Sequence, residues 1–314
     1  MRLASVALLL AGLASAGLGD PGSADCTPPG AGVPGSLCIQ HDQEAGTISI
    51  FRYGEAQAIL TQVAQEDARP YIHPIVAPDG RGVLTEYRPA HHRHQTGLYW
   101  GLKLVNGRDY FMACCIEGRS QSDYYRRVSA GVLVGTGEQV KWQTVYDLLD
   151  ENGNTTLTET QTWAMREVHG RYVLDLAWVG EAKTDITFGK FFVGGLFLRM
   201  PWHEQSVGEV VNAAGQRNNE AEAQRAIWTD VGIRVEGRND PAHIAFFDHP
   251  KNAGFPISWR VDGELGVGPS LQIMGDWKLA RGEAKTFRYR LLAYTGNLDH
   301  IELSRAWTEY ATSN

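Results

Sequence analysis

The densest run of reactive side chains lies between Arg69 and Gly101, RPYIHPIVAPDGRGVLTEYRPAHHRHQTGLYWG, which carries His73, His91, His92 and His94 out of ten histidines in the chain. Near neutral pH an imidazole can take a proton, give one, or ligate a divalent metal. Side chains two apart on an extended segment face the same way. His92 and His94 are therefore expected to aim two rings at one point, as ligands of a single divalent metal or as a base and its orienting partner. His73, at the end of the preceding apolar stretch, can reach the same point across a turn. Just upstream, Glu86 is a candidate general base, and Arg88 a candidate fork for an acidic group of a substrate. The structural alternatives are histidines that bond backbone carbonyls under a long loop, and an Arg–Glu surface pair.

A second constellation is FFDHPKNAGFPISW, residues 246–259. Asp248 and His249 close an apolar strand, and Asn252 and Trp259 follow through a Pro/Gly-rich loop, material typical of ligand grips at strand ends. Asp248 can equally cap a turn. Pro201-Trp202-His203-Glu204 is a shorter run of the same kind. Both the His92 segment and the Asp248 loop follow apolar strands, so they are expected to meet at one end of the fold. There they would line a shared pocket with Arg88 and the Trp259 face. The sequence has no Gly-x-Ser-x-Gly elbow, phosphate-binding Gly-rich loop, dinucleotide fingerprint or His-Glu-x-x-His.

The elements that must position these groups read as strands. Residues 47–53, 58–63, 71–78 and the segments QVKWQTVYDLL, TTLTETQTWAMREV, RYVLDLAWVGEA, HIAFFDH and KTFRYRLLAYTG alternate or run apolar, separated by Gly/Asn turns. Asn106-Gly107 is the strongest local hairpin signal, with a short strand expected on each side. Helical periodicity is persuasive only over residues 302–311. The fold expected is all-β: one large, supersandwich-like β-sandwich over residues 41–314 with a short C-terminal helix.

Residues 1–16, MRLASVALLLAGLASA, read as a cleaved signal peptide, which makes the mature chain secreted or periplasmic with no membrane span. Residues 17–40 read as an irregular leader in which Cys26 and Cys38 close a disulfide loop worth ~2–3 kcal/mol. Cys114 and Cys115, on opposite faces of an expected strand, are expected to be small buried thiols. Net charge is −7, with no basic run, which argues against a nucleic-acid partner. Of the nine Trp and twelve Tyr some are expected in the core, but exposed aromatic platforms are also how sugar is gripped, because ring C–H faces stack on them.

The Arg69–Gly101 segment, ITFGKFFVGGLFLRM, NAAGQRNNEAEAQRAIWTDVGIRV with IAFFDHPKNAGFPISW, and GEAKTFRYRLLAYTG together resemble, in order over roughly residues 45–298, the PmoA-like family of unknown function. There, an RPY-hydrophobic-HP…PDG…LTR pattern leads into PPDHPHHRGLWFG. The resemblance implies an exported bacterial β-sandwich protein, often encoded near sugar oxidoreductases and other carbohydrate-degrading genes. It carries over His73, His92, His94, Asp248, His249, Asn252 and Trp259. Departures are His91 for the motif's Asp, Gln95 for its last His, and Phe192-Val193 where a Lys-Glu usually precedes Gly194-Gly195. The function expected is an exported carbohydrate-active enzyme, a glycoside hydrolase or polysaccharide lyase, on an oligo- or polysaccharide. His73, His92, His94 and Glu86 would be catalytic, and Arg88, Asp248, His249, Asn252 and Trp259 would hold the sugar. The cofactor is none or one divalent metal on His92 and His94. The alternatives are a non-catalytic carbohydrate-binding protein and a cupin-like metal-dependent oxygenase.

Overall fold

The structure, a computed structural model, describes Cys26 and residues 36–312. The signal peptide and most of the leader expected from the sequence lie outside the described residues. Two large antiparallel sheets stack face to face. The nine-stranded sheet runs, in spatial order, Trp259–Val261, Gly266–Pro269, Gly195–Arg199, Leu98–Gly101, Tyr71–Ile75, Ala58–Val63, Thr47–Arg52, Leu37–Asp42 and Thr136–Gly137. The eight-stranded sheet runs Gly208–Asn212, Trp228–Ile233, Ala242–Asp248, Ala284–Thr295, Arg171–Ala182, Thr155–Val168, Gln139–Leu149 and Tyr125–Val134. The all-β sandwich expected from the sequence is the fold observed.

Period-2 alternation explains the packing. In Gln139–Leu149 the residues Val140, Trp142, Tyr146 and Leu148 are buried between the sheets, while Gln139, Lys141 and Gln143 face away. Thr47–Arg52 buries Ile48 and Ile50 in the same way. The long hairpin joining Thr155–Val168 to Arg171–Ala182 turns on His169 and Gly170, both at positive φ (51° and 69°), the backbone that matches strand twist in a two-residue turn.

Several local expectations need correction. Residues 37–40 are not leader: Leu37–Asp42 pairs residue for residue with Thr47–Arg52, and Cys38 within it forms the disulfide with Cys26. Asn106-Gly107 does turn the chain, with Val105 and Arg108 exchanging backbone bonds of 2.9 and 3.0 Å. No strand follows, because the Tyr110 and Phe111 N–H groups both donate to the Leu102 carbonyl and curl the chain into a 3₁₀ turn over Ala113–Cys115. Cys114 and Cys115 thus sit on that turn, half-buried and exposed, and not on a strand. The C-terminal helix, His300–Thr312, starts two residues before the expected point, where Asp299 Oδ1 accepts from the N–H groups of Ile301 and Glu302 at 2.9 and 3.0 Å. Its Leu303 and Tyr310 pack with Phe247, Leu292 and Tyr294 on the outer face of the eight-stranded sheet.

Candidate functional site

On the nine-stranded sheet, Leu98, Trp100, Leu196 and Leu198 point into the core between the sheets. The alternate residues Tyr99 and Phe197 face outward, and with Phe111 and Val193 they form a separate apolar cluster on the sheet's outer surface. Loops cross this patch and leave a cleft of about 120 Å³ lined by His92, His94, Gln95, Lys103, Phe111, Met112, Phe192, Val193, Phe197, Arg260 and Asp262.

Residues 88–95 bring the histidines to the cleft as a closed loop. Its ends are tied by Arg88 N–H to the Gln95 carbonyl at 2.7 Å, and its interior by His92 N–H to the Pro89 carbonyl at 2.9 Å. The segment is a turn and not an extended strand, so the expected i, i+2 geometry is absent. The rings still gather: His92 lies 5.2 Å from His91 and 5.6 Å from His94, centroid to centroid. The buried Arg69 holds the loop from beneath, stacked 3.8 Å over the Tyr99 ring and donating to the carbonyls of His94 and Phe111 at 2.6 Å each. Gly97, at φ 77°, lies so close to the Ile72 carbonyl that a Cβ would meet its oxygen at 2.4 Å, so only glycine fits.

The acidic half of the site comes from the turn after Trp259–Val261. Arg199, wholly buried, donates to the Asp262 carboxylate at 2.6 Å, to the Glu264 carbonyl and to the Gln95 side chain. Asp262 in turn accepts from the N–H groups of Glu264 (3.0 Å) and Gly266 (2.7 Å). Glu264 is thereby presented to the histidine loop, with Oε2 2.8 Å from His92 Nδ1 and 3.7 Å from His91 Nε2. Trp202 packs its edge against His91 at 5.4 Å.

Burial, and after it the Arg199 guanidinium, lowers His92 below the ordinary imidazole value against the pull of Glu264. Burial and the Arg69 charge push His94 down to about 3. The cleft's imidazoles are therefore neutral at pH 7, the form that accepts a proton or ligates a metal. At the rim, Phe192 is 55% exposed, with the Arg260 guanidinium 5.0 Å from its centroid. Lys103 is paired with Asp109 at 2.5 Å, and Arg260 with Glu222 at 2.6 Å.

The other sequence candidates go elsewhere. His73 is bonded to Thr85 Oγ1 at 2.9 Å and stacked on Tyr87, with burial lowering its pKa; it is outside the cleft lining. Glu86 accepts from the Trp202 N–H at 3.3 Å, and Arg88 spends its Nε on the Arg93 carbonyl at 3.1 Å. Asp248 is fully buried, accepting from Asn252 Nδ2 and the Ile257 N–H at 2.8 Å each. Asn252 also bridges both backbone groups of Arg288. Trp259 is buried in the core with its indole N–H on the Ala226 carbonyl. His249 lies over the other sheet, edge-on to Tyr310 at 5.1 Å. The expected shared pocket is thus not formed: none of Asp248, His249, Asn252 or Trp259 lines the cleft. The tryptophans are mostly core, with Trp142, Trp163, Trp178, Trp228 and Trp259 fully buried, and the exposed ring at the cleft is Phe192.

Sequence reasoning missed Arg199, Arg260, Asp262 and Glu264, and met Phe192 only as a departure from a family motif. Two signals were present: an Arg inside the otherwise apolar GGLFLRM, and two carboxylates on the Asp262-Gly263-Glu264 turn.

Among known proteins, solved structures similar to the chain include the GH36 alpha-galactosidase AgaB from Geobacillus stearothermophilus, at 8% identity over 82% of this chain and 41% of that one with a TM-score of 0.42. They also include the galactosidase domain of the alpha-galactosidase-sucrose kinase AgaSK, at 11% identity over 82% and 41% with a TM-score of 0.40. A third is a galactose mutarotase related enzyme from Lactobacillus acidophilus, at 9% over 73% and 96% with a TM-score of 0.30. The chain spans about two fifths (41%) of the length of these two galactosidase structures. No curated protein matches it. A family model matches residues 42–308, and the chain belongs to that family, the family of unknown function DUF6807.

Proposed function

We propose that the chain is an exported carbohydrate-active protein that takes one unit of an oligo- or polysaccharide into the cleft over Tyr99 and Phe197. The observation that carries this is the pairing of the exposed Phe192 ring with His92, His94, Lys103 and Arg260 around a small open hollow. A sugar ring needs that combination, a flat apolar face for its C–H side and convergent polar groups for its hydroxyls. At about 120 Å³ the hollow has room for no more than one unit, so the remainder of a chain would lie outside it. The Cys26–Cys38 disulfide supports an oxidising compartment.

Two-carboxylate glycosidase chemistry needs an acid and a second carboxylate flanking the bond. Among the described residues the only carboxylate lining this cleft, Asp262, is locked to Arg199, and Glu264 is turned to His92. The donor set therefore favours bond cleavage driven at the His92–Glu264 edge, as in removal of a proton beside a uronate carboxylate, over a paired-carboxylate hydrolysis. Lys103 and Arg260, each paired with a carboxylate of its own, are the cleft cations that carboxylate would have to share. Binding without turnover is the second reading, favoured by the absence of an acid at Phe192-Val193.

The test is a panel of neutral and uronate-containing polysaccharides, followed for binding and for unsaturated or reducing ends. Phe192→Ala should weaken binding roughly fivefold, the worth of one aromatic stacking contact of about 1 kcal/mol. Equal affinity in the variant, or no binding across the panel, would refute the sugar cleft. Binding with no new chain ends would select the second reading.

A further inference from the structure

We propose that His91, His92 and Glu264 form a site for one divalent transition metal at the wall of the cleft. The ligand set stands on its own geometry; only the part the ion plays in sugar chemistry rests on the function proposed above. One nitrogen from each imidazole and one Glu264 oxygen all lie within 4.8 Å of one another. The two separations to Glu264 Oε2 are 2.8 Å from His92 Nδ1 and 3.7 Å from His91 Nε2. Nitrogen and oxygen ligands about 2.1 Å from a shared ion stand roughly 3–3.5 Å apart, so little movement is needed to close the shell.

A second observation points the same way. His92 Nδ1 and Glu264 Oε2 are both buried atoms and lie 2.8 Å apart, an ion pair only if the imidazole is protonated, yet neither is aligned for a hydrogen bond with the other or with another described group. A buried polar atom without an aligned partner is costly, and here two such atoms stand side by side. A cation between them satisfies both.

The surroundings hold the ligands as a metal site requires. Arg199 reaches both halves, gripping Gln95 at the end of the histidine loop and Asp262 and the Glu264 carbonyl on the acidic turn. Trp202 buttresses His91. Three protein ligands leave positions open, and His92 lines the cleft, so those positions adjoin the bound unit. Two imidazoles and one carboxylate suit zinc, manganese, iron(II) or cobalt, and offer too few oxygens for calcium. The set differs from the His92–His94 pair suggested by spacing, because the residue three places past Arg260–Val261 on the facing turn supplies the carboxylate and His94 turns toward Phe111, 5.5 Å away.

The experiment strips the full chain with a chelator and titrates it with Co²⁺, Zn²⁺ and Mn²⁺, using calorimetry and, for Co²⁺, the visible spectrum. Expected is one equivalent per chain, a Co²⁺ spectrum of nitrogen and oxygen ligation, and a rise in Tm on loading. Glu264→Gln, His91→Ala and His92→Ala should each weaken binding roughly tenfold or more and abolish the rise in Tm. His169→Asn, in a hairpin turn, should do neither. Because a weakened variant can also be a misfolded one, each is compared by circular dichroism and metal-free Tm. Should all three unfold, Glu264→Asp is titrated, with weaker but stoichiometric binding expected. No stoichiometric binding to wild type, or binding indifferent to the Glu264 and His92 changes, overturns the proposal. Polysaccharide binding is measured with and without metal. Its absence in both, with one equivalent of metal retained, refutes the sugar reading and leaves the metal site standing.

Discussion

Glu159 carries a charge problem that the fold keeps inside. It is 1% exposed, and its two oxygens accept only neutral donors, Gln161 Nε2 and Trp178 Nε1, each at 3.0 Å. Burial outweighs these bonds and pushes its carboxyl up to about 7. The native state then holds a proton that the unfolded chain releases near pH 4.5, so stability falls as pH rises through that window and levels off above pH 7. Glu159→Gln removes the titration. Relative to wild type, the variant should gain up to about 3 kcal/mol between pH 4.5 and pH 8, whatever constant offset its altered hydrogen bonds impose. Urea melts at several pH values test this, and a wild-type-to-variant gap that stays flat would remove Glu159 as the cause. Asp248, raised by burial to about 7, adds a second slope of the same sign.

At the scale of elements, what was legible in the sequence was periodicity, and what was hidden was partnership. Alternation found the long one-sided strands such as Thr47–Arg52 and Gln139–Leu149 and the side of each that is buried, because burial of one face dictates it residue by residue, but not Leu37–Asp42, Gly208–Asn212 or the short strands after Trp259. The density of reactive side chains marked His92 and His94 as a cluster, but their geometry was hidden, since loop 88–95 is shaped by Arg69 and Arg199, which lie 25 residues from His94 and 104 from Gln95 along the chain. Arg199 is the joint of the site. Replacing it by Met leaves the Asp262 carboxylate without its cation, and loss of one partner of a buried pair costs about 3–5 kcal/mol. Adding Asp262→Asn should restore part of that loss, because an amide oxygen can still accept from the Glu264 and Gly266 N–H groups. A double-mutant cycle by urea denaturation checks it; strictly additive losses would mean that the pair is not coupled.

At the scale of the molecule, the two segments that sequence placed in one pocket serve different sheets. The His92 loop lies on the outer face of the nine-stranded sheet, and the Asp248 loop closes a strand of the eight-stranded one. Sequence marks both alike, as polar loops after apolar strands, and nothing local distinguishes a carboxylate that faces a ligand from one that organises a turn. The bonding does. Asp248 holds the Ile257 N–H and, through Asn252, the backbone of Arg288, so it fastens the loop to Ala284–Thr295. The chain that leaves this loop then delivers Arg260, Asp262 and Glu264 to the cleft. Asp248→Ala should therefore lower stability by roughly 1–3 kcal/mol, the cost of stranding buried donors, and leave affinity for a cleft ligand within about twofold at temperatures where the variant is folded. His92→Ala should do the reverse, changing Tm little while removing binding of metal or sugar at the cleft. Thermal melts paired with ligand titrations on both variants decide the matter. Loss of binding in a folded, stable Asp248→Ala would return Asp248 to the site.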